Sequence, residues 1–592
     1  MSRTAGLRLT ATALVALAVL AGSARQSPPS VAAASLSQRS TVRVGVWTLW
    51  RDREVTLAPA GASRAFTVRT CSQCAALTLT QPMQVRAAGD SLTLAWAGKH
   101  GQTTELSLSG PVRLTAHGES ITIDNPLTIQ SRAGVLVLAV SLPVESYVER
   151  VVESESSSAD GPESLKALAI VVRSFALHED HGHRDYDLCD STHCQLLHWG
   201  GSSERRAAAH AATLATAGET LWFHGARAVA YFGKDCGGRT AAVEEAWPRA
   251  SPLPYLSSQP DRYCTGDGGR EWASEATREE LSAALAAHGL VKPGWQSLTV
   301  ARRGPSGRAL ALRLDATEIS AEDFRIAVGE SLGWNRIPST WFEVSRTEGV
   351  FKFHGRGWGH GVGLCQKGAA AMAAQGRTEA EILAQYFPGT TAADETTGRA
   401  WQRLNGNGFH LETLDSSGAT FLPQLEQARA EASARSGLNS PTPIVVRAFD
   451  LTEQFRAATL APGWMAAFTE GNWIATQPLA VLAARHLLAD TLRHEFLHTL
   501  VEQASSPVTP LWLREGLVEA WSQPGSKPKQ DTLSLNAVDA SLAHASSESE
   551  SEAAHRAAGA YAAQLLSRYG RTQVLQWLRS GVPAGVVAAL GK

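Results

Sequence analysis

The segment around residue 494 carries residue types that could bind a metal ion and activate a water molecule. It reads DTLRHEFLHTLVE and has the apolar pattern of a helix, so His494 and His498, four residues apart, share one helical face. Two imidazoles on one face can bind a single metal ion, and Glu495 between them can act as a general base on metal-bound water. The motif predicts a zinc-dependent hydrolytic site. The alternative is a metal-free domain retained for binding.

A second cluster of metal-ligand residue types lies near residue 190. The segment HGHRDYDLCDSTHC contains His183, Cys189, His193 and Cys194. Thiolate and imidazole donors at such spacing suit tetrahedral Zn²⁺, and His181 is a spare candidate ligand. The alternative is a disulfide between the two cysteines, with histidines that have no shared role.

A third segment, residues 351–389, is rich in glycine. It reads FKFHGRGWGHGVGLCQKGAAAMAAQGRTEAEILAQYFPG, with a glycine at every second position from 355 to 363 and a helix-forming stretch after them. Glycines this dense let the backbone approach a ligand closely and adopt positive φ. Because Trp358 and His360 stand among them, the segment is a candidate carbohydrate-binding or active-site platform. A Gly-rich turn between strands is the alternative.

The overall composition is that of an exported globular protein. The chain has 592 residues and a net charge of −2, which argues against a nucleic-acid partner. Arg3 and Arg8 precede an apolar run that ends in small residues, the pattern of a secretory signal peptide at 1–24, with an uncleaved anchor as the alternative. We therefore expect a periplasmic, extracellular or wall-associated protein with no membrane span after signal removal.

Hydrophobic periodicity divides the rest of the chain. A Ser/Ala/Pro-rich linker is expected at 25–40, and alternating apolar and polar residues over 41–140 predict a β-rich part. A mixed α/β region is predicted over 141–390, a linker at 390–408, and a mostly helical domain over 405–592. The sequence thus predicts a multidomain α+β protein.

Individual elements are predicted inside these regions. The apolar stripe of Pro162–His178 predicts a helix, as does the composition near 203–217, and a hairpin is predicted to turn at His224–Gly225. In the C-terminal part we predict a strand at PIVVRAF and long helices, whereas the Ser/Glu tract at 546–552 predicts a solvated loop.

Four segments carry a family resemblance. In order they read VESYVERVVESESSSADGPESLKALAIVVRSFAL, YDLCDSTHCQ, AYFGKDCGGRTAAVEEAW with PYLSSQPDRYC, and GRGWGHGVGLCQKGA. In this order they resemble the SpoIID/LytB family, the stage II sporulation protein D and amidase-enhancer group. The resemblance covers roughly residues 135–390 and implies a SpoIID/LytB-like domain over 41–395.

The resemblance implies a lytic transglycosylase. Such an enzyme cleaves the peptidoglycan glycan strand between N-acetylmuramic acid and N-acetylglucosamine and releases a 1,6-anhydro sugar. One carboxylic acid protonates the leaving oxygen and then accepts the 6-hydroxyl proton, so the second carboxylate of a hydrolase is not needed. The VVESES step matches the family's catalytic residue at Glu155, with Glu153 as the rival. Ser156 departs from the Met that usually follows.

Further contacts around Glu155 are implied by the same resemblance. Arg173 is expected to orient the substrate or Glu155, and Trp358 to stack on a sugar face or to pack in the core. Contacts to sugar hydroxyl and N-acetyl groups are expected from Ser191, Thr192, Gln195, Gly237, Gly238, Arg239, His360 and Gln366. Some family members carry zinc at the equivalent Cys/His cluster, which implies a structural Zn²⁺ at His183, Cys189, His193 and Cys194.

The C-terminal motif also carries a resemblance. HEFLH followed by PLWLREGLVEAW resembles the gluzincin metallopeptidases, in particular the peptidase MA-like group, over residues 405–592. This implies Glu515 of the W-x-x-E-G pattern as the third zinc ligand beside His494 and His498. Glu519 is the alternative.

The other cysteines give three predictions. Cys71 and Cys74 form a CxxC in a β-rich context, which predicts a small-loop disulfide. Cys236 and Cys264 bracket a loop-rich segment and are predicted to pair. Cys365 stands where the family commonly has Ser, and we predict a leftover buried thiol.

Three functions remain open at this point. The first is a secreted peptidoglycan-remodelling enzyme with a glycan-cleaving domain and a zinc metallopeptidase domain. The second is a non-catalytic, glycan-binding enhancer of a separate cell-wall amidase. The third is a metallopeptidase docked on the wall by the SpoIID-like domain.

Overall fold

The computed structural model describes residues 40–590 apart from 62–64, 179–180, 201–202, 266–270, 463, 523–532 and 545–546. The predicted signal peptide at 1–24 and nearly all of the linker at 25–40 lie outside these residues. The described chain is mixed α/β, with helices concentrated in its C-terminal part. None of the helices in the described ranges is long and apolar enough to cross a lipid bilayer.

The first hundred described residues are β-structure, as their alternating pattern predicts. Alternate side chains of most strands are buried, so that two sheets pack face to face around a shared core. The strands are β1 (Thr41–Val46), β2 (Glu54–Pro59), β3 (Phe66–Arg69), β4 (Leu77–Leu79), β5 (Met83–Ala88), β6 (Ser91–Trp96), β7 (Lys99–Thr103), β8 (Glu105–Ser109), β9 (Val112–Ala116), β10 (Glu119–Ile123), β11 (Leu127–Arg132) and β12 (Val135–Pro143). Cys71 and Cys74 form the predicted disulfide.

The chain passes from this β-structure directly into helices that extend the same core. Strand β12 is followed without a gap by α1 (Val144–Glu155), and the predicted helices and hairpin are present in the segment after it. The elements are α2 (Pro162–Ala176), β13 (Leu188–Cys189), α3 (Ser203–Ala215), β14 (Glu219–Phe223), β15 (Ala226–Arg227), β16 (Phe232–Gly233), α4 (Val243–Ala246) and a 3₁₀ helix at Pro254–Leu256. Short β13 joins the first sheet in the order β13-β1-β12-β11-β8-β3-β4; the second is β10-β9-β2-β5-β6-β7.

The next segment has a hydrophobic core of its own. Phe324, Phe342 and Phe353 pack at its centre between two three-stranded sheets, β17-β22-β21 and β18-β19-β20. Its elements are β17 (Glu271–Thr277), α5 (Arg278–Ala287), β18 (Leu298–Arg303), β19 (Ala309–Leu314), β20 (Thr317–Ser320), α6 (Ala321–Leu332), β21 (Phe342–Thr347) and β22 (Val350–Arg356). This segment therefore folds as a separate module inserted between β16 and the glycine-rich segment.

After the insertion the chain returns to the first core. Strand β23 (Leu364–Cys365) is followed by α7 (Gln366–Ala374), α8 (Glu379–Tyr386) and β24 (Thr391–Asp394). Strand β24 pairs antiparallel with β14. The prediction of a linker at 390–408 is therefore wrong: it contains β24 and the first strand of the C-terminal sheet. The side chains of this segment are mostly short or polar and do not alternate between apolar and polar. The sequence pattern therefore does not predict its strands, which form through backbone pairing.

The C-terminal part has a five-stranded sheet covered by helices. The strand order is β25-β26-β27-β29-β28, with β26, β27 and β29 parallel and both edge strands antiparallel. The elements are β25 (Gln402–Gly406), β26 (Phe409–Thr413), a 3₁₀ helix at Ser416–Phe421, α9 (Leu422–Ser436), β27 (Ile444–Ala448), α10 (Thr452–Thr459), β28 (Ala467–Glu470), β29 (Trp473–Thr476), α11 (Leu479–Ala484), α12 (Leu488–Ala504), α13 (Leu511–Ser522), α14 (Leu535–His544), α15 (Glu548–Ser580) and α16 (Ala584–Val587).

The Ser/Glu tract at 546–552 departs from its predicted loop. Ser547 caps α15, with its hydroxyl accepting a hydrogen bond from the backbone N–H of Glu550. Glu548 and Glu550 lie in the first turn, where carboxylates interact favourably with the positive end of the helix dipole. The same acidic residues that indicate a solvated loop therefore begin a helix.

A fourth apolar cluster and several ion pairs join the two halves of the chain. Leu214 and Ala217 pack against residues of the C-terminal sheet, and buried Arg447 pairs with Glu219 at 2.7 Å. His210 on α3 lies between two carboxylates, 2.8 Å from Glu149 and 2.9 Å from Glu470. These two carboxylates raise the pKa of His210 to about 10.

We predict that the His210 bridge stabilises the protein in a defined pH range. Because its folded-state pKa lies above its ordinary value, its contribution is complete below about pH 6.5 and disappears as pH rises through about 10. His210→Ala should lower the free energy of unfolding by about 0.5–1 kcal/mol at pH 6, since the ring is partly solvated. Urea unfolding at pH 6 and pH 10 measures this difference.

The control is His410→Ala, which removes a half-buried imidazole that contacts the uncharged Asn405 within the C-terminal part. It should show no such pH trend. An effect of His210→Ala that is equal at both pH values would contradict the assignment.

Candidate functional site

The glycine-rich segment is packed against protein on several sides. Gly357, Gly359, Gly361 and Gly363 all have positive φ. A Cβ atom at Gly363 would lie 2.1 Å from the carbonyl oxygen of Tyr231, and one at Gly361 would lie 2.3 Å from Arg308 Nη2. Glycine is therefore required here for both backbone conformation and close approach.

Backbone pairing joins this segment to the CGGR segment. The Trp358 N–H donates to the carbonyl of Asp235 at 2.7 Å, and the Asp235 N–H donates back at 3.3 Å. Strand β16 pairs parallel with β23, so that Gly233 lies opposite Cys365. The two segments that are far apart in sequence thus form one structural unit.

Glu155 lies where this unit meets the STHCQ segment. The Leu196 N–H donates to Glu155 Oε1 at 3.2 Å, and Gln366 Nε2 donates to the Glu155 carbonyl oxygen at 3.1 Å. Glu155 is the last residue of α1, a helix not predicted from the sequence. The negative end of the α1 dipole disfavours an ionised carboxylate at this position.

The environment of Glu155 differs from that of Glu153. Burial raises the pKa of Glu155, while the Leu196 hydrogen bond and the positive charge of Lys234 act in the opposite direction. Glu153 points instead toward α3, where Arg206 Nε lies 3.5 Å from its carboxylate. Glu155 is thus the carboxyl group that faces both functional segments.

Arg173 occupies a different place from the predicted substrate contact. It is fully buried, and its guanidinium forms a two-point ion pair with Glu145 at 2.6 and 2.9 Å. It also donates to the carbonyl of Glu219. Arg173 lies among the apolar residues of α2 and points into the core. It therefore binds Glu145 of α1 and does not contact a sugar.

The STHCQ residues divide between surface and interior. Thr192 is exposed, whereas Ser191 and Gln195 are buried. Gln195 accepts a hydrogen bond from the Tyr147 hydroxyl on α1 at 2.9 Å. Ser191 accepts one from the His193 N–H. In the structure these two side chains position their segment against α1, which leaves Thr192 as the exposed member.

The glycine-rich segment and the CGGR segment together are called the glycine unit. The other predicted contact residues lie in this unit or beside it. Arg239 Nε donates to the carbonyl of Pro305 in the inserted module at 3.2 Å. The His360 ring packs on Trp247 with centroids 5.0 Å apart, and its Nδ1 accepts from the Val362 N–H. Burial lowers the pKa of His360 to about 4, so the ring is neutral near pH 7. Gly237, Gly238, Trp358 and Gln366 also lie in this unit.

The four residues of the Cys/His cluster lie close together in the structure. Donor atoms of His183, Cys189, His193 and Cys194 all lie within 4.8 Å of one another. Cys189 and Cys194 are free cysteines, so the alternative disulfide is not formed, and His181 contacts the Ala176 carbonyl. Two sulfur and two imidazole donors in this arrangement fit the donor set of a structural zinc site.

The two thiols of this cluster are hydrogen-bonded to each other. Their Sγ atoms are 2.8 Å apart, and His183 Nε2 lies 3.0 Å from Cys194 Sγ. The hydrogen bond with Cys194 lowers the pKa of Cys189 to about 3, and the same bond raises that of Cys194. One thiolate is therefore available even without further deprotonation.

The HExxH residues lie on α12, as predicted. His494 Nε2 and His498 Nε2 are 2.9 Å apart, and Glu515 on α13 lies 3.7 Å from His498. Glu495 is buried and accepts from the Thr469 hydroxyl on β28 at 2.6 Å; burial raises its pKa. The two imidazoles and one carboxylate are the donor set of a catalytic zinc site.

An open cavity of about 460 Å³ borders these residues. Among the side chains that line it are Trp464, His494, Glu519 and His555. His555 on α15 lies 3.3 Å from Glu515. Burial by itself would raise the pKa of Glu515, but the nearby histidines together lower it to about 2.

Sequence reasoning missed three residues of these sites. His555 stands far beyond the HExxH motif in a polar helix, and no spacing rule connects the two. Lys234 immediately precedes the Asp235–Cys236–Gly237 run. Because it lies inside one of the four segments that carry the family resemblance, it could have been predicted as a site residue. In the sequence Tyr147 has the position of an apolar core residue. Only the structure shows that its hydroxyl donates a hydrogen bond to Gln195.

The cysteine prediction around Cys236 needs correction. Cys236, Cys264 and Cys365 are all free and buried in the structure, so the predicted Cys236–Cys264 disulfide is not formed. The three thiols instead cluster with Asp261. Cys365 is buried as predicted but has two sulfur neighbours. Its neighbours come from segments distant in sequence, which pairwise reasoning along the chain does not detect.

Comparison with known proteins supports the SpoIID resemblance over part of the chain. A family model described as SpoIID, stage II sporulation protein, matches residues 133–223. The chain contains a SpoIID-family domain. A second model, a domain of unknown function (DUF8618), matches residues 265–363, which span the inserted module and the glycines up to Gly363.

Several curated relatives match parts of the chain. The stage II sporulation protein D of Bacillus subtilis is 27% identical over 270 residues, which are 43% of this chain and 75% of that protein. An uncharacterised protein of Brachyspira hyodysenteriae is 28% identical over 262 residues, 44% of this chain and 69% of the relative. The Bacillus subtilis amidase enhancer is 24% identical over 291 residues, 41% of this chain and 39% of that protein.

We predict that Arg173 is a stability residue. Arg173→Met removes the guanidinium and leaves Glu145 buried without its cation, which should lower the free energy of unfolding by about 3–5 kcal/mol. Thermal and urea unfolding measure the change. The control Arg377→Met breaks an exposed pair with Glu381 and should change the stability by less than about 1 kcal/mol. Equal effects of the two substitutions would refute this role.

Proposed function

We propose that this protein is a secreted peptidoglycan-remodelling enzyme whose SpoIID-family domain is a lytic transglycosylase. The observation that carries the proposal is the place of Glu155. Its carboxyl group is half-buried at the end of α1, contacts the STHCQ segment, and has a raised pKa. A carboxyl group that keeps its proton closer to neutral pH is what general acid catalysis requires.

In the proposed mechanism Glu155 acts twice. Protonated Glu155 donates its proton to the glycosidic oxygen as the bond to the muramyl C1 breaks. The resulting carboxylate then accepts the proton of the muramyl 6-hydroxyl as that oxygen bonds to C1, which closes the 1,6-anhydro ring and restores the acid. Lys234 lies close enough to favour the transient carboxylate. Exposed Thr192 and the Trp358 segment are the proposed sugar contacts.

We also propose metal binding at two of the sites. His183, Cys189, His193 and Cys194 would hold a structural Zn²⁺ that stiffens the segment leading to Leu196. In the C-terminal part His494, His498 and Glu515 would hold a zinc ion that polarises a peptide carbonyl and acidifies water. Glu495 is the proposed base there, and the free edge of β28 beside α12 is suited to an extended peptide.

A second candidate function is supported by one comparison. One relative is named an amidase enhancer. In that case the SpoIID-family domain would bind glycan strands without cleaving them and would act with a separate cell-wall amidase. The third possibility is a metallopeptidase that the SpoIID-family domain docks on the wall. The two substitution series below distinguish these functions.

Substitution of Glu155 tests the proposed acid. Glu155→Gln should reduce the release of anhydromuropeptides from purified sacculi by about 10²- to 10⁴-fold, because the amide cannot transfer the proton. Glu153→Gln is the matched control and should retain activity. Muropeptide mass spectrometry provides the measurement, and circular dichroism verifies the fold of both variants.

The pH profile adds a second readout. Because the pKa of Glu155 is raised, wild-type activity should fall as pH rises through that pKa and the acid loses its proton. Full activity of Glu155→Gln would exclude this residue as the acid. Loss of activity only in Glu153→Gln would transfer the role to Glu153. Wild-type protein that binds sacculi but releases no anhydro product would support the enhancer function.

Substitutions in the C-terminal site test the proposed zinc binding and peptide hydrolysis. His498→Ala and Glu515→Gln should each lower the zinc content by about one equivalent per chain, whereas Glu519→Gln should not. Glu495→Gln should keep the zinc but lose peptide hydrolysis. Elemental analysis by mass spectrometry measures zinc in protein purified without chelator. Unchanged zinc in His498→Ala would remove this site from the proposal.

A further inference from the structure

Three cysteines and one aspartate meet behind the glycine unit. Cys236 follows β16, Asp261 and Cys264 lie in the loop after the 3₁₀ helix at Pro254–Leu256, and Cys365 ends β23. All four residues are buried, and their sulfur and carboxylate oxygen atoms lie within 4.8 Å of one another. None of the substrate or peptidase contacts described above uses these side chains.

Several groups around Cys365 stabilise a thiolate, whereas burial raises the pKa of this thiol. The backbone N–H groups of Cys236 and Gly368 point at Cys365 Sγ, at 3.3 and 3.5 Å. Cys365 is also the N-cap of α7, so its sulfur lies at the positive end of a helix dipole. Amide hydrogen bonds and a helix N-terminus both stabilise a thiolate, the form of cysteine that binds metals.

The carboxylate in the cluster has hydrogen bonds but lacks a cation. Asp261 Oδ2 accepts from the Tyr386 hydroxyl at 2.9 Å and from Cys236 Sγ at 3.2 Å. Its Oδ1 accepts from the backbone N–H groups of Tyr263 and Cys264. Among the described residues no Lys or Arg forms an ion pair with the Asp261 carboxylate, although the residue is only 1% exposed.

Burial of the Asp261 carboxylate without an ion pair favours a bound cation. A single disulfide among the three thiols would leave this carboxylate without a cation. A divalent cation bound by all four groups would satisfy them together.

We propose that Cys236, Cys264, Cys365 and Asp261 hold a structural Zn²⁺ ion. Three thiolates and one carboxylate oxygen are a closed tetrahedral donor set, with no position left for water. Its consequence is mechanical. Cys236 immediately precedes Gly237, and Cys365 immediately precedes Gln366, whose amide contacts Glu155. The ion would therefore hold the CGGR and glycine segments in the paired arrangement that surrounds Glu155.

The site is tested by zinc analysis of the full chain. Cys264→Ser and Asp261→Asn should each lower the zinc content, the cysteine variant by about one equivalent per chain. The double variant Cys71→Ser/Cys74→Ser is the matched control, since it removes two cysteines that form a disulfide elsewhere, and should keep all zinc. His183→Ala should lower zinc independently, so that its loss adds to that of Cys264→Ser.

Alkylation of the wild-type protein provides a measurement that needs no variant. Peptide mapping after iodoacetamide treatment should show Cys236, Cys264 and Cys365 protected in the native protein and labelled once a zinc chelator is added. Labelling only after a reductant would indicate a disulfide and overturn the proposal. Zinc content that is unchanged in Cys264→Ser would overturn it as well.

Discussion

The arrangement of the SpoIID-family domain depends on the backbone pairing between residues 232–235 and 358–365. These segments are separated by the whole inserted module, yet they form a short parallel ladder and a two-bond antiparallel bridge. Glycines at positive φ make this pairing possible because a side chain at Gly363 would collide with Tyr231 of the paired segment, and one at Gly361 with Arg308 of the inserted module. The pairing brings Gln366 to the Glu155 carbonyl oxygen and Lys234 near enough to lower the pKa of the Glu155 carboxyl group.

The inserted module contributes to this pairing in spite of its separate core. Arg308 from β18–β19 is buried, and its guanidinium donates to the carbonyl oxygens of Gly359 and Cys236, one from each paired segment. Glu245 accepts from Ser306 in the same turn. A module that leaves and re-enters the domain beside its functional site thus also stabilises that site, and its loss would expose both segments.

The two halves of the chain are mechanically connected at α1 and α3. The helix that carries Glu155 also carries Glu149, which contacts His210, and His210 contacts Glu470 at the end of β28. Thr469 beside it hydrogen-bonds Glu495 of the HExxH motif. A continuous set of contacts therefore runs between the candidate acid of one domain and the candidate base of the other.

Several elements could be predicted from the sequence because their signals are local. The stripe of α2, the His224–Gly225 turn, the HExxH helix and the alternation of β1–β12 each depend on spacing within a few residues. Helix α1 was missed because its acidic end reads as a loop, and β24 because a strand of Thr, Ala and Asp has no apolar alternation. The 546–552 tract was missed because acidic residues are equally suited to a loop and to a helix N-terminus.

By itself the sequence determined which chemistry is available: a carboxyl group at the end of VVESE, two sets of metal-ligand residues, and a glycine segment able to approach other chain segments. Only the tertiary structure decided which groups meet. It turned Arg173 inward onto Glu145, separated Glu155 from Glu153, brought His555 to Glu515, and gathered three cysteines that no local spacing connects. The physical reason is that side-chain type and periodicity are properties of adjacent residues, whereas burial, pKa and proximity arise from packing between segments far apart in the chain.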